Sequence, residues 1–206
     1  DRARRADAYA RRGDLTNAAL TLQPVIEHAR DLHDVALFWA GIRSRQGHYA
    51  EAADWYRHIL RSHHDHTPTR QSLALCLRRS GQYDEAIRQI ERIREGDPWN
   101  VMAVLTLVDT YATLNRTDEA IALLDELEAN TSEETTDAEQ RGRIKIIRLR
   151  LRSDPGTIGP ALADAENTEL TPATRSSLAQ HAGITLQKEG RHAEAWDAMA
   201  RSKRYR

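Results

Sequence analysis

Long apolar runs are missing from this sequence. The longest, such as Val101 to Leu105, fall far short of the ~20 residues a membrane span needs, so no such span is expected. Cysteine is nearly missing too. Cys76 stands alone, which excludes an intrachain disulfide, fits a reducing cytoplasm, and leaves a small core side chain in a helix as its expected role. Aromatics make up only 5% of the residues, so Ala and Leu must fill the interior. Net charge is close to absent: 30 basic and 31 acidic residues leave −1, which excludes a global pull toward nucleic acid. Lys occurs only at 145, 188 and 203, so Arg carries almost all the positive charge, an imbalance that a GC-rich genome accounts for. The first residue is not Met, which points to a processed chain or a piece of a longer one. Asp1 to Arg12 is highly charged and lacks an apolar h-region, so no signal peptide is expected there and the expected location is cytoplasmic.

What is there is a repeat. Gly13, Gly47 and Gly81 lie 34 residues apart and Asn115 continues the series. Asn is the other residue that accepts a left-handed backbone at a helix end. Seven residues upstream stand Ala6, Ala40, Ala74 and Val108; five downstream stand Ala18, Ala52, Ala86 and Ala120; nine downstream stand Leu22, Tyr56, Ile90 and Leu124. A further copy surrounds Gly190, with Gly183 before it and Ala195 and Met199 after it. The small residues let two helices of one repeat cross closely, and the larger residue reaches the first helix of the next repeat. Helical spacing of Leu73, Ala74 and Leu77, and of Val104, Leu107, Val108 and Tyr111, supports helices before each turn. Asp97-Pro98-Trp99-Asn100 punctuates a repeat boundary.

Between Asn115 and Gly190 there are 75 residues, two periods plus seven. Asn130 to Asp137 is polar throughout and reads as an extended loop. Asp137 with Gln140 is expected to cap a helix carrying Ile144, Ile147 and Leu151. Ser153-Asp154-Pro155-Gly156 reads as a turn, followed by a helix with Ile158, Ala161, Leu162 and Ala165 on one face. Thr171-Pro172 opens another helix. Pro24 is expected to kink the second helix of the first repeat.

Period 34 with Gly47-His48-Tyr49-Ala50-Glu51-Ala52 and Gly81-Gln82-Tyr83-Asp84-Glu85-Ala86 resembles the tetratricopeptide repeat. The resemblance implies an all-α, right-handed superhelical solenoid of stacked helix–turn–helix repeats. Its expected organisation is four repeats over 1–134, a divergent repeat over 135–171 and a C-terminal repeat over 172–206, in one continuous solenoid. It also implies that the first helices line a concave groove. The groove positions are then Arg11 in the first repeat; Leu37, Ser44 and Arg45 in the second; Gln71, Leu75, Arg78 and Arg79 in the third; and Leu105, Asp109 and Thr113 in the fourth. Arg11, Arg45 and Arg79 recur at the same position. A cation in the last turn of a helix complements its dipole, and Arg also suits bidentate contacts to carboxylate or phosphate. Both readings stand at this stage. Asp7, Gly41 and Leu75 occupy the places where family members that clamp a chaperone's C-terminal carboxylate carry Asn, which argues against that role.

The expected function is a scaffold that holds another protein or peptide, acidic in one reading, with no cofactor and no catalysis in this chain. Neither Gly-x-Ser-x-Gly nor His-Glu-x-x-His occurs, and Gly156 and Gly159 lack the Lys and Ser/Thr of a phosphate loop. His63-His64-Asp65-His66 is the densest set of metal-ligand types, but it falls in a polar inter-repeat turn with no Cys nearby, so no metal is expected. A second resemblance is narrower: Leu178 to Trp196, ending at Arg206, is similar to the repeat that precedes the catalytic domain in bacterial tetratricopeptide sulfotransferases. It implies a larger enzyme with its chemistry beyond Arg206.

Overall fold

The computed structural model describes residues 2–132, 134–152 and 155–205, without the side chain of Pro155. Among them are twelve α-helices and no strand. The chain divides into two compact units, Asp1–Pro98 and Trp99–Arg206.

The first unit contains α1 (Arg2–Arg11), α2 (Leu15–Leu22), α3 (His33–Arg45), α4 (Tyr49–Ser62), α5 (Thr67–Arg79) and α6 (Tyr83–Arg94). They form three helical hairpins, and α2 packs on α3 as α4 packs on α5. Each hairpin is apolar on more than one face, so stacking is what buries it. The turns explain why the period is so strict. Gly13, Gly47 and Gly81 have φ of 80°, 85° and 81°, a region that costs any residue with a Cβ. At each, the glycine N–H bonds back to the third residue before it and the next N–H to the fifth before itself, as in Gly47 to Ser44 and His48 to Arg43. That pair of bonds satisfies the last carbonyls of the first helix and reverses the chain. Ala6, Ala40, Ala18, Ala52 and Ala86 are all buried at the crossings, with Leu22, Tyr56 and Ile90 filling the space behind them.

Polar staples add register. Arg43 closes α3 on α4 through Glu51 at 2.6 Å, and Gln46 donates to the Leu15 carbonyl of the preceding hairpin at 3.0 Å. Arg57 of α4 reaches Glu85 of α6 at 2.6 Å and Gln82 at 3.0 Å. Within the first unit the expected pattern fails at Pro24. Helix α2 is not kinked there but ends at Leu22, and the chain runs through consecutive turns to Asp31. Pro24 has no N–H for the next helical bond, and Val25 N–H instead makes a tighter bond to Leu22 at 2.9 Å. Ile26 and Ala29 still reach the core.

The second unit contains α7 (Val101–Thr113), α8 (Thr117–Asn130), α9 (Ala138–Leu151), α10 (Pro155–Ala165), α11 (Pro172–Lys188) and α12 (His192–Arg204). Asn115 takes φ 60° and Gly190 φ 76°, with the same paired turn bonds. Seven residues separate the end of α8 at Asn130 from the start of α9 at Ala138, matching the excess over two periods; of the loop read at 130–137, Glu133 lies outside the described residues. Beyond them register returns: Leu149, Ala161 and Ala165 stand 34 before Gly183, Ala195 and Met199, and all three are buried. Gly156 falls in the turn column yet lies inside α10, because α9 stops at Leu151 and Arg152 is extended. Of the turn read at 153–156, Ser153 and Asp154 lie outside the described residues. The expected caps are present: Asp137 and Gln140 form a capping box on α9, and Thr171 caps α11 with Pro172 in its first turn. Glu139 of α9 accepts bonds from the Thr171 backbone and hydroxyl and from Thr174, tying α9 to the start of α11. Burial pushes its carboxyl up, but those bonds outweigh burial and leave it below the usual range.

Candidate partner-binding face

The eleven positions expected to line the groove all lie on first helices, α1, α3, α5 and α7. Their exposures sort them. Arg11, Arg45, Arg79, Leu75 and Thr113 are exposed; Leu37, Ser44, Gln71, Arg78 and Asp109 are half-buried; Leu105 is buried at 5%. Leu105 therefore packs, while its neighbour Asp109 pairs with Arg150 of α9.

In the first unit, α3 and α5 meet where Cys76 donates to Ser44 Oγ at 3.3 Å. This contact sets the C-terminal ends of the two helices, and so Arg45 and Arg79, on neighbouring elements. Burial pushes the Cys76 thiol up despite the Ser44 bond, and the side chain is part of the core. Tyr56, buried nearby, has its phenol pushed up to about 12 by burial, with Cys76 adding to the effect and Ser72 opposing it.

The arginines differ in what they touch. Arg43, Arg57, Arg94, Arg116, Arg148 and Arg191 are all held by carboxylates within 3.1 Å. Arg11 pairs with Asp7 one turn earlier on its own helix at 2.8 Å, with 80% of its side chain exposed. Arg45 and Arg79 are exposed and have no ion-pair partner among the described residues. Thr113, at the same position in the fourth repeat, bonds its hydroxyl to the Asp109 carbonyl at 2.8 Å and offers no charge.

The His-rich turn holds a contact that its own sequence does not reveal. His33, at the start of α3, lies 4.2 Å from the His63 ring and 5.3 Å from the His66 ring. Among the described residues no group of three or more His, Cys, Asp or Glu could hold a metal ion. No described helix is long and apolar enough to cross a membrane.

Residues 77–138 match the family model for the tetratricopeptide repeat. The chain has the tetratricopeptide-repeat fold. It is similar to the crystal structure of a tetratricopeptide repeat protein from Parabacteroides merdae ATCC 43184, with TM-score 0.56 and 18% identity over 99% of this chain and 91% of that one. It is also similar to MamA AMB-1, with TM-score 0.52 and 19% identity over 99% of this chain and 96% of that one. A third likeness is to MamA 41-end from Desulfovibrio magneticus RS-1, with TM-score 0.54 and 16% identity over 100% and 95% of the two chains. No curated protein matches the sequence. At these identities the tetratricopeptide likeness establishes architecture, and function must be argued from the residues.

Proposed function

We propose that this tetratricopeptide chain is a protein-interaction scaffold, and that the first helices of residues 1–98 hold an acidic segment of a partner. The observation that carries the reading is the pair Arg45 and Arg79: equivalent positions 34 apart on first helices, exposed, and without an ion-pair partner among the described residues. Helix-end cations are expected on dipole grounds; what singles these two out is their recurrence at one repeat position. Leu75, 40% exposed, and half-buried Leu37 place apolar surface beside the charges, so an acidic segment with interspersed apolar residues fits best. Arg11 joins by exchanging Asp7 for a ligand carboxylate.

The test is a set of acidic and neutral peptides measured against the wild type and the Arg45→Ala/Arg79→Ala variant at low and high salt. Each exposed pair contributes ~0–1 kcal/mol, so the double variant should bind the acidic peptide about tenfold more weakly at low salt. The difference should shrink as salt screens it. Equal affinity and equal salt dependence for the two proteins would leave the arginines as helix-end cations only.

A further inference from the structure

Within residues 99–206, α9 sits against α7 and α8, and α11 sits against α9 and α10. The seat under α9 can be read residue by residue. Leu105 of α7 and Leu124 of α8 are buried. Asp109, six before the turn residue Asn115, pairs with Arg150 of the incoming helix. Glu128, thirteen after it, pairs with Arg148 of the incoming helix at 2.6 Å.

Around Gly190 the same positions are Gln180, Ile184, Met199 and Lys203. With Ser202 they line an open cavity of about 180 Å³ between α11 and α12. No described helix fills it. Ile184 is 36% exposed, and Trp196, one turn before Met199 on the same stripe of α12, is 76% exposed. Ile184 lines the cavity while Trp196 lies outside its lining, and exposed large apolar side chains beside a cavity are a feature of interaction sites.

We propose that this seat receives an amphipathic helix of a protein partner, apolar toward Ile184, Met199 and Trp196 and acidic toward Lys203. The sign of the charge follows from the seat under α9. There the acid Glu128 selects the cation Arg148; here Lys203 stands in its place without an ion-pair partner among the described residues. Ile184 replaces Asp109, so the residue two further along the incoming helix, at the place of Arg150, is apolar. The docking helix thus carries an acid followed two positions later by an apolar residue.

The probe is a side-chain-stapled peptide of residues 138–151 with Arg148→Glu and Arg150→Leu, compared with the unaltered 138–151 peptide. Binding of each to the whole 206-residue chain is followed by fluorescence anisotropy. The altered peptide should bind more tightly than the unaltered one. Lys203→Glu should weaken the altered peptide about fivefold and strengthen the unaltered one, as expected for one exposed charge pair reversed. Ile184→Asp should abolish binding of the altered peptide, while Arg45→Ala/Arg79→Ala should leave it unchanged, which separates this site from the first. Failure of the altered peptide to bind, or binding indifferent to Lys203→Glu and Ile184→Asp, overturns the proposal. Concentration-dependent dimerisation in sedimentation, removed by Trp196→Glu, would overturn it in favour of a second copy as occupant.

Discussion

In residues 1–98, helices α3 and α5 end in Arg45 and Arg79, exposed and without an ion-pair partner among the described residues. In residues 99–206, the corresponding helices α7 and α9 join their charges to each other through Asp109 and Arg150, and Arg148 ties α9 to α8. Paired charges fix neighbouring helices in register, while the unpaired ones are the field proposed above for an acidic ligand. The units also differ in how they turn: every hairpin of the first reverses at a left-handed glycine, whereas α9 and α10 of the second are joined without one at Gly156.

The largest effect should come from the closest helix crossing. A Cβ on Gly183 would meet Met199 Cγ at 2.9 Å and the Ala195 carbonyl at 3.2 Å. Gly183→Leu is therefore expected to destabilise the second unit by about 2–3 kcal/mol, read by thermal or denaturant unfolding. Gly41 in α3 has nothing within 4 Å of such a Cβ, so Gly41→Ala should stabilise the first unit by about 0.5–1 kcal/mol through helix propensity. Next come the turns. Gly81→Ala, at φ 81°, should cost about 1–2 kcal/mol. Gly156→Ala, in the same column but inside a helix, should stabilise. Equal signs for the two would erase the distinction between the units' turns.

A smaller effect is expected at Glu85. The Arg57 guanidinium beside it holds its carboxyl below the usual value of 4.5. A depressed folded value means that stability is present above 4.5 and is lost as pH falls through the lower folded value. Glu85→Gln should cost about 1 kcal/mol at pH 7, and the gap to wild type should close in that acid window. A gap that stays constant below pH 4 would show that the Arg57 pair does not stabilise the first unit. Smallest of all, Arg45→Ala/Arg79→Ala should change stability by less than about 0.5 kcal/mol, since neither side chain contacts a carboxylate in the fold.

The turns were legible because only Gly and Asn accept the left-handed backbone, so a spacing of 34 between them reports geometry directly. Asp137, Gln140 and Thr171 were legible for a similar reason, since capping is local chemistry. Pro24 was misread because its position alone does not decide between a kink and an end; the tight Val25–Leu22 bond does. The register of the fifth repeat could have been found by counting back 34 from Gly183, Ala195 and Met199 to Leu149, Ala161 and Ala165, but its turn glycine, Gly156, is used within a helix, which hides the copy. The approach of His33 to His63 and His66 joins α3 to the turn after α4, and no local pattern encodes it. For the groove, equivalence of Arg11, Arg45 and Arg79 was plain from spacing. That Asp7 occupies Arg11, and that Leu105 is buried, required the packed helices.

The most direct test of an arginine pair kept open for an acidic ligand is a set of assigned arginine Nε–Hε spectra of the whole chain, recorded while an acidic peptide is added at low salt. The account predicts that the Arg45 and Arg79 signals move first and furthest, Arg11 follows, and Arg43 and Arg57, already held by Glu51 and Glu85, stay in place. Equal small shifts across all arginines, or shifts confined to Arg143 and Arg150, would contradict it.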